Sequence, residues 1–446
     1  MEADNQQYLQ GPQAAEALRI IQRLRDSGFV AYLAGGCVRD ALLGKPPKDY
    51  DVATDATPEA VRGVFGKRRT IAFGASFGVI GVLPPTDRSQ PERDGLDQES
   101  SFTTSQEPGQ RQGRARRASV EPTEVATFRS DGHYSDGRRP DSVHYGDARN
   151  DALRRDFTIN GLFYDPQEEQ VIDYVGGQSD LAAGILQTIG DPLLRFGEDR
   201  LRMLRAIRFA TTLEFEIHPT TLDALQQHAD DISVVSGERI GAEMRRVLVS
   251  VRAIEGLRYL VTSGIHRVVL PEIVDLDWDR LHRLLVQTDP RSFPLALACI
   301  GVVIPDSHEG LLAIDRRWRL SSEELRQAST AVQNWEVLIR ASALPWSAVQ
   351  PKLVLRDTSF IVALAEAVAA ADGISTDGLE LAKRALEWPA EQLDPAPLLT
   401  GSDLKELGFQ PGPQFSKLLT SLRESQLDGE LTTREQAVEW LRHSES

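Results

Sequence analysis

Two aspartates, Asp49 and Asp51, stand two positions apart in a stretch that is predicted to be extended. Alternate side chains of a strand project from the same face, so both carboxylates could reach the same divalent ions. Hard oxygen ligands suit Mg²⁺ (magnesium), which keeps several waters and binds substrate phosphates beside one or two carboxylates. An isolated Asp-x-Asp is more often a polar turn. The residues that precede this pair favour the metal site instead.

A glycine pair and an arginine come just before the acidic pair. Gly35 and Gly36 follow a short apolar run at 29–34, and Arg39 lies about one turn beyond the glycines, near the start of the helix that is predicted over 38–43. Glycines let the backbone approach a ligand closely, and the free N–H groups at the start of a helix favour phosphate. The sequence therefore predicts that these residues hold a nucleoside triphosphate beside the metal site.

Glu124 is the candidate for a third carboxylate. It lies on a strand predicted over 124–128, which could sit beside the strand that carries the aspartates. Three such groups would complete a two-ion site, in which one ion activates an attacking hydroxyl and the other steadies a leaving pyrophosphate. On spacing alone, an exposed glutamate at a sheet edge is nearly as good an interpretation, so both stay open.

The segment 198–210 has apolar residues at helical spacing with arginines between them. Asp199 and Arg202 are three positions apart, hence neighbours on one face of the expected helix. Such a pair is usually a surface ion pair worth a few tenths of a kcal/mol. It could instead read a base, because the aspartate can accept from an exocyclic amine while the arginine donates to a ring nitrogen. That pattern takes C and A and refuses U and G, whose mismatched polar groups would be buried unpaired.

The composition sets limits on the kind of protein. A chain of 446 residues is long enough for roughly two to four domains. No run approaches the roughly 18 apolar residues of a membrane span and the N-terminus is polar, so we expect a cytoplasmic location. The only cysteines, Cys37 and Cys299, exclude a disulfide framework. The net charge of −16 argues against a surface coated with phosphate-binding groups, so any RNA contact must be local.

Periodicity gives the predicted elements. A helix is expected over 12–26, another beginning at Thr57 with proline in its first turn, and a strand over 71–83. Residues 86–120 have almost nothing to bury and are predicted to be a disordered insertion. From residue 180 onward the 3.6-residue period dominates. The sequence therefore predicts an α+β fold: a head with a mixed β-sheet and helices, followed by an all-helical neck, body and tail.

Several motifs occur together in the order of a known family. They are LAGGCVRDALLG (33–44), KDYDVATDATPE (48–59), EVATFR (124–129), DGRRPDSVHYG (136–146), RRDFTINGLFYD (154–165), EDRLRMLRAIRFA (198–210) and GERIGAEMRRVL (237–248). In these the chain resembles the class II nucleotidyltransferases of the DNA polymerase beta superfamily, which include CCA-adding tRNA nucleotidyltransferases and bacterial poly(A) polymerases.

The resemblance implies a role for each motif. It implies that Asp49 and Asp51 hold the catalytic Mg²⁺ ions and that Gly36 and Arg39 contact the triphosphate. The other implied nucleotide-binding residues are Arg155 and Asp156, which would favour the ribose, Asn160 in the same motif, Asp199 and Arg202, which would read the base, and Arg205 and Arg208 nearby. The segment 130–145 matches a mobile loop that the family uses in switching from C to A.

The family's architecture assigns parts of the chain to domains. The head, or palm, would cover 1–175 with the insertion at 86–120, the base-reading neck 176–255, and the tRNA-binding body and tail 256–446. Residues 400–441 look like the tail of bacterial CCA-adding enzymes, and the basic C-terminal extension common in poly(A) polymerases is missing.

The predicted function is therefore template-independent addition of CCA to tRNA 3′ ends from CTP and ATP, with Mg²⁺ and release of pyrophosphate. The alternatives are a poly(A) polymerase, or a tRNA nucleotidyltransferase restricted to CC or to A. A non-catalytic RNA-binding relative is a remote alternative, against which the intact Asp49, Asp51, Arg39 and Asp199 speak.

Overall fold

The chain divides into two compact units in the computed structural model, Met1–Asp199 with Glu216–Thr221, and Arg200–Phe215 with Leu222–Ser446. The structure describes residues 11–74, 77–85, 121–132, 134, 137, 140–274, 276–288 and 292–443. The insertion predicted to be disordered at 86–120 lies outside these residues. None of the helices in the described ranges is long and apolar enough to cross a membrane.

The first unit contains all the described strands and six helices that begin and end within it. The strands are β1 Ala31–Ala34, β2 Asp51–Thr54, β3 Thr70–Gly74, β4 Val79–Val82, β5 Thr123–Thr127, β6 Arg129–Asp131, β7 Val143–Tyr145, β8 Leu162–Asp165, β9 Gln170–Asp173, β10 Ile185–Leu186 and β11 Glu216–Ile217. The helices are α1 Pro12–Asp26, α2 Gly36–Leu42, α3 Pro58–Phe65, α4 Ala148–Leu153, α5 Gly177–Ala183 and α6 Pro192–Glu198.

A mixed sheet organises this unit, with the described strands in the order β3-β4-β5-β2-β1-β8-β9. The central strand β2 runs antiparallel to β1 and parallel to β5, with Val52 opposite Val125. Two neighbouring parallel strands begin at the same edge of a sheet. The first residues of β2 and β5 therefore meet there, which positions the candidate site.

Apolar residues fix the helices that flank the sheet. Helix α1 begins at Pro12, whose missing N–H costs nothing in the first turn, and buries one apolar face that includes Ile20 and Leu24. Helix α3 begins after Thr57, whose hydroxyl accepts from the Ala60 N–H at 3.3 Å. Both helices confirm the sequence predictions.

Two sequence predictions about strands were wrong. The stretch 71–83 forms two antiparallel strands, β3 and β4, and Gly78 between them has φ +79°. Periodicity could not show this reversal, because the glycine that allows it also fits a strand with a bulge. In the region from 180 onward, expected to be all helical, β10 and β11 pair in parallel. A strand of two residues is too short to show an alternating pattern.

The second unit is helical throughout its described residues. Its helices are α7 Leu201–Leu213, α8 Pro219–Gln227, which starts in the first unit, α9 Gly237–Leu248, α10 Ala253–Ser263, α11 His266–Val269, α12 Trp278–Gln287, α13 Phe293–Val303, α14 Ser307–Trp318, α15 Ser322–Ile339, α16 Trp346–Leu353, α17 Thr358–Asp372, α18 Asp377–Ala385, α19 Ala390–Leu393, α20 Gly401–Glu406, α21 Pro413–Leu427 and α22 Arg434–His443. Helix α13 is buried on nearly all sides, and the buried Trp318 donates from Nε1 to the Val269 carbonyl at 2.9 Å. The mixed-sheet unit and this helical unit confirm the predicted α+β class.

The last three helices bury a core of their own, which includes Leu404, Leu422 and Leu441. A capping box at Thr433 and Gln436 begins the last of them. Thr433 accepts from the Gln436 N–H at 3.3 Å, and the Gln436 side chain accepts from the Thr433 N–H at 3.2 Å.

Candidate active site

An acidic cleft lies where β2 and β5 begin. Asp49, Asp51 and Glu124 all line it, and its volume is about 380 Å³. Asp51 and Glu124 each come one residue before the paired Val52 and Val125, so they project from the same face of two neighbouring strands. The position expected for Glu124, beside the aspartate strand, is therefore confirmed. The strand itself begins only at Asp51, and Asp49 enters the cleft from irregular backbone before it.

The three carboxylates act on one another. Asp51 opens into the cleft, yet protein surrounds it on most sides. This burial, followed by the negative charges of Glu124 and Asp49, raises the pKa of Asp51 to about 6, against a lowering effect of Arg155. Concentrated negative charge of this kind attracts cations, since a cation between the carboxylates would relieve their repulsion.

The donor set fits hard divalent ions. Within the described ranges, no three Asp, Glu, His or Cys side chains are grouped tightly enough to hold an ion by themselves. Carboxylates that share a cleft can still bind an ion together with waters and substrate phosphates, as Mg²⁺ commonly requires.

The nearby Cys37 cannot serve as a nucleophile at neutral pH, because burial, and then the charge of Asp51, raise its pKa to about 12.

The turn between β1 and α2 requires glycine at its first position. Gly35 has φ +72° and ψ −122°, and its N–H donates to the Leu162 carbonyl at 2.9 Å. A Cβ at Gly35 would lie 2.6 Å from Nη1 of Arg155. At Gly36 a Cβ would meet only the Arg39 guanidinium, at 3.7 Å. The predicted glycine turn therefore brings the backbone against an arginine from a different motif.

Asn160 links the predicted nucleotide-binding residues. Arg39 is buried and donates from Nη1 to Oδ1 of Asn160 at 2.6 Å, while Asn160 donates from Nδ2 to Asp156 at 3.0 Å. The backbone carbonyl of Asn160 accepts from Nη1 of Arg155 at 3.0 Å. The structure thus brings Gly35, Arg39, Arg155, Asp156 and Asn160 together around one short turn.

Asp151 is a site residue that the sequence reasoning missed. This fully buried carboxylate accepts from Nε of Arg154 at 2.8 Å and from Nη2 of Arg155 at 3.0 Å. The available signal was its spacing of three and four residues from the two arginines, at which side chains meet along a helix, although α4 ends at Leu153 and the arginines follow its end.

The prediction that Asp199 and Arg202 share one helix face was wrong. Asp199 ends α6 with extended backbone, at φ −139° and ψ 108°, and the next helix begins only at Leu201. The Asp199 carboxylate is therefore presented by a junction between two helices. Arg202, Arg205 and Arg208 do lie together on α7, as expected.

Arg208 is tied into the interior of the second unit. Its Nε lies 3.1 Å from a carboxylate oxygen of the buried Glu243, and its guanidinium covers the Phe209 ring at 4.0 Å. These contacts favour a bracing role for Arg208. Arg205 also covers the Phe209 ring, at 5.3 Å.

The described part of the predicted mobile segment, 130–145, forms the end of a hairpin. Strands β6 and β7 pair with Ser130 opposite His144. Residues 133, 135–136 and 138–139 lie outside the described residues.

Family models match most of the chain. The "Poly A polymerase head domain" matches residues 31–89 and 96–187, the "Probable RNA and SrmB- binding site of polymerase A" matches 214–276, and "tRNA nucleotidyltransferase domain 2" matches 298–441. The CCA-adding enzyme of Levilactobacillus brevis is 30% identical over 437 residues, which cover 96% of this chain and 97% of that protein. The CCA-adding enzyme of Bacillus pumilus is 33% identical over 322 residues, covering 70% and 69%.

Solved structures give the same result. The Bacillus stearothermophilus CCA-adding enzyme in complex with CTP has a TM-score of 0.71 and 26% identity, and the match covers 98% of this chain and 99% of that one. The Thermotoga maritima CCA-adding enzyme complexed with tRNA matches with a TM-score of 0.62 at 18% identity, covering 99% and 98%, which shows the shared fold.

Proposed function

This chain belongs to the family of CCA-adding tRNA nucleotidyltransferases, and from that premise we propose how its residues carry out the reaction. The enzyme adds CCA to the 3′ end of tRNA from CTP and ATP, without a nucleic-acid template. In each step the terminal hydroxyl of the RNA attacks the α-phosphorus of the nucleotide, a new phosphodiester bond forms, and pyrophosphate leaves.

One observation carries the assignment of the site: the acidic cleft adjoins a glycine turn flanked by two arginines. The positive charge of Arg155 acts on Asp51 and opposes the rise of its pKa, and Arg155 lies against Gly35 at the start of α2. An anionic triphosphate needs cations and backbone N–H groups, whereas the metal ions that accompany it need carboxylates. Both sets of groups occur here side by side, which supports nucleotidyl transfer.

Members of this family use divalent metal ions, and we propose Mg²⁺, held by Asp49 and Asp51 with Glu124 as the third carboxylate. When bound, Mg²⁺ would supply charge neutralisation for the phosphates and an easier deprotonation of the attacking hydroxyl. The protein's part is to fix Asp51 and Glu124 on paired strands, with Asp49 just before one of them, so that the carboxylates do not reorganise during the reaction.

The remaining predicted residues take supporting roles in this proposal. Arg39 and Arg155 neutralise the triphosphate, and Asp156 and Asn160 hold the turn against which the ribose rests. Asp199, with Arg202 of α7, reads the amine and ring nitrogen of the base.

The predicted domain roles belong to the same proposal. In it, residues 1–175 form the catalytic head, 176–255 the neck, and 256–446 the body and tail that bind tRNA. A cytoplasmic site of action agrees with the two free, buried cysteines.

Replacing the central carboxylate tests the proposed mechanism. Asp51→Ala should reduce CTP and ATP incorporation to background, because the proposed ion site loses its central carboxylate. The binding of tRNA, measured in a filter assay, should stay near the wild-type value. Asp55→Asn is the matched control, since Asp55 follows the other end of β2 and its carboxylate accepts from the Val30 N–H at 2.8 Å. Substantial turnover by Asp51→Ala would contradict the mechanism.

Product sequencing tests the specificity. A tRNA that ends just before CCA is incubated with CTP, with ATP, and with both. The proposed function predicts two cytidines with CTP alone and a single terminal adenosine only when both are present. A run of adenosines would indicate a poly(A) polymerase, and products that stop after CC, or adenosine addition only to a CC end, would indicate a restricted enzyme.

A further inference from the structure

Asp151 is a fully buried carboxylate that two arginines share. Its Oδ1 accepts from Nε of Arg154 at 2.8 Å, and its Oδ2 accepts from Nε and Nη2 of Arg155 at 3.2 and 3.0 Å. Burial alone would raise the pKa of Asp151, but the charges and hydrogen bonds of Arg155 and Arg154 lower it. The carboxylate therefore stays ionised and holds both guanidinium groups in a fixed orientation.

Arg155 is held on several sides as a result. Its Nε and Nη2 donate to Asp151, and its Nη1 donates to the Asn160 carbonyl at 3.0 Å. The guanidinium also lies over the Phe163 ring, with its central carbon 5.0 Å from the ring centroid. Held in this way, it lies beside Gly35 and keeps its positive charge close to Asp51.

Arg154 extends the same network toward the β6–β7 hairpin. Its Nη1 lies 3.9 Å from Oδ2 of Asp131, a distance that gives a weaker ion pair than the contacts at Asp151. Asp131 also pairs with Arg129 at 3.0 Å and accepts from the Tyr134 hydroxyl at 2.6 Å. Asp151 is thus the strongest link in a chain of charges that connects the hairpin to the cleft.

We propose that Asp151 is a positioning residue for the incoming nucleotide, acting through Arg155. The inference rests on the proposed function, because it assigns Arg155 to the triphosphate and ribose. A carboxylate that holds two of the three guanidinium nitrogens leaves the arginine one orientation. Without it, the arginine stays charged but samples several orientations, so that nucleotide binding is weakened while the reacting groups remain.

The test is a double-mutant cycle between Asp151→Asn and Arg155→Ala, with KM and kcat measured separately for CTP and ATP on a matched tRNA. Asp151→Asn should raise both nucleotide KM values about tenfold, with a smaller change in kcat and none in the KM for tRNA. In the Arg155→Ala background the same change should add little, because its effect passes through that arginine.

Asp147→Asn is the matched control on the same helix. Asp147 caps α4 by accepting from the Asn150 N–H at 2.8 Å, and it is exposed. This variant should lower the melting temperature slightly and leave the nucleotide KM values unchanged. A purely structural role for Asp151 predicts that both variants behave alike.

Three results would overturn the inference. The first is an unchanged nucleotide KM in folded Asp151→Asn, and the second is a double variant whose KM shows the full effects of Asp151→Asn and Arg155→Ala multiplied together. The third is an equal KM change in Asp147→Asn. If Asp151→Asn does not fold, Asp151→Glu is measured instead, because it keeps the buried charge but displaces Arg155. The nucleotide KM of Asp151→Glu should still rise, and a wild-type KM in this variant would overturn the inference. The wild-type enzyme is assayed in parallel, because failure to incorporate CTP there would refute the proposed function itself.

Discussion

At the scale of single residues, Gly35 joins backbone shape to the electrostatics of the site. Its backbone has a positive φ, a conformation that residues with side chains rarely adopt, and its N–H donates to the Leu162 carbonyl. The missing side chain also leaves the space into which the guanidinium of Arg155 fits. One residue thus allows the turn that starts α2 and the approach of a cation from a different motif.

Gly35→Ala should therefore impair both stability and nucleotide binding. The unfavourable backbone costs about 1–3 kcal/mol, and the added Cβ must displace Arg155. Thermal unfolding and equilibrium binding of CTP would measure the two effects. Gly63→Ala is the control, because Gly63 lies within α3 with nothing near its Cβ position, and alanine there should stabilise by about 0.5–1 kcal/mol. Normal CTP affinity in Gly35→Ala would show that Arg155 is not held as described.

The sequence identified the residues whose chemistry is local to a motif. The acidic pair, the glycine turn and Arg39 stand close together in the chain, so their types and spacing suffice to predict a nucleotide site. For Asp151 the sequence offers only its spacing from two arginines, and its burial, which gives the carboxylate its importance, cannot be read from that spacing. Asp199 was misplaced because the spacing of three looks the same in a helix and at the junction of two helices.

At the scale of elements, helices with strong end signals were predicted well. Helix α1 and helix α3 both begin with proline, and their bounds follow from local chemistry. The division of 71–83 into two strands depends instead on pairing with β5, whose sequence lies about 40 residues further along the chain. Local patterns do not contain that information.

Helix α15 shows how an ion pair adds to a helix start. Glu324 completes a capping box with Ser321 and also receives two hydrogen bonds of 2.6 Å from Arg245 of α9. The hydrogen bonds from Arg245 come first among the causes that lower the pKa of Glu324 to about 2, from an ordinary value of 4.5. A carboxylate with a depressed pKa stabilises the fold above pH 4.5, and this contribution is lost as the pH falls toward 2.

Glu324→Gln should therefore destabilise the protein at pH 6, and the difference should shrink as the pH falls below 4.5 and become small only near pH 2. We expect a loss of about 1 kcal/mol at pH 6, since the pair is partly exposed to solvent. Denaturant unfolding at a series of pH values would measure the difference between variant and wild type. Glu323→Gln is the control, because the nearest guanidinium nitrogens to Glu323 are 3.7 Å away. A constant difference across the pH range would contradict the assignment.

At the scale of the whole molecule, a chain of net charge −16 must bind an RNA. In the head, the arginines of the candidate site are paired with carboxylates that fix their positions. Arg39 pairs with Asp40 at 2.7 Å, and Arg155 pairs with Asp151. These pairs hold positive charge beside the acidic cleft, where the proposed function expects the triphosphate. This arrangement favours a specific nucleotide site over general affinity for phosphate.

The chain between β4 and β5 is much longer than the pairing of these two strands requires. The two strands pair up to their ends, with Val82 opposite Thr123, and the Leu83 N–H donates to the Arg69 carbonyl at 2.8 Å. Their pairing therefore needs only a short link, yet about 40 residues separate the ends. Closing a shorter loop costs less entropy, by about 1 kcal/mol for a link of about nine residues.

Deleting residues 88–118 should therefore leave the melting temperature equal or slightly higher, with CCA addition to tRNA retained. Thermal unfolding and single-turnover incorporation of CTP and ATP would measure both. A second variant, in which these residues are replaced by a Gly/Ser linker of the same length, separates the effect of length from that of sequence. If both variants keep the wild-type melting temperature but lose turnover, the deleted sequence contributes to substrate binding and is more than a link. If only the deletion lowers the melting temperature, the short link strains the ends of β4 and β5.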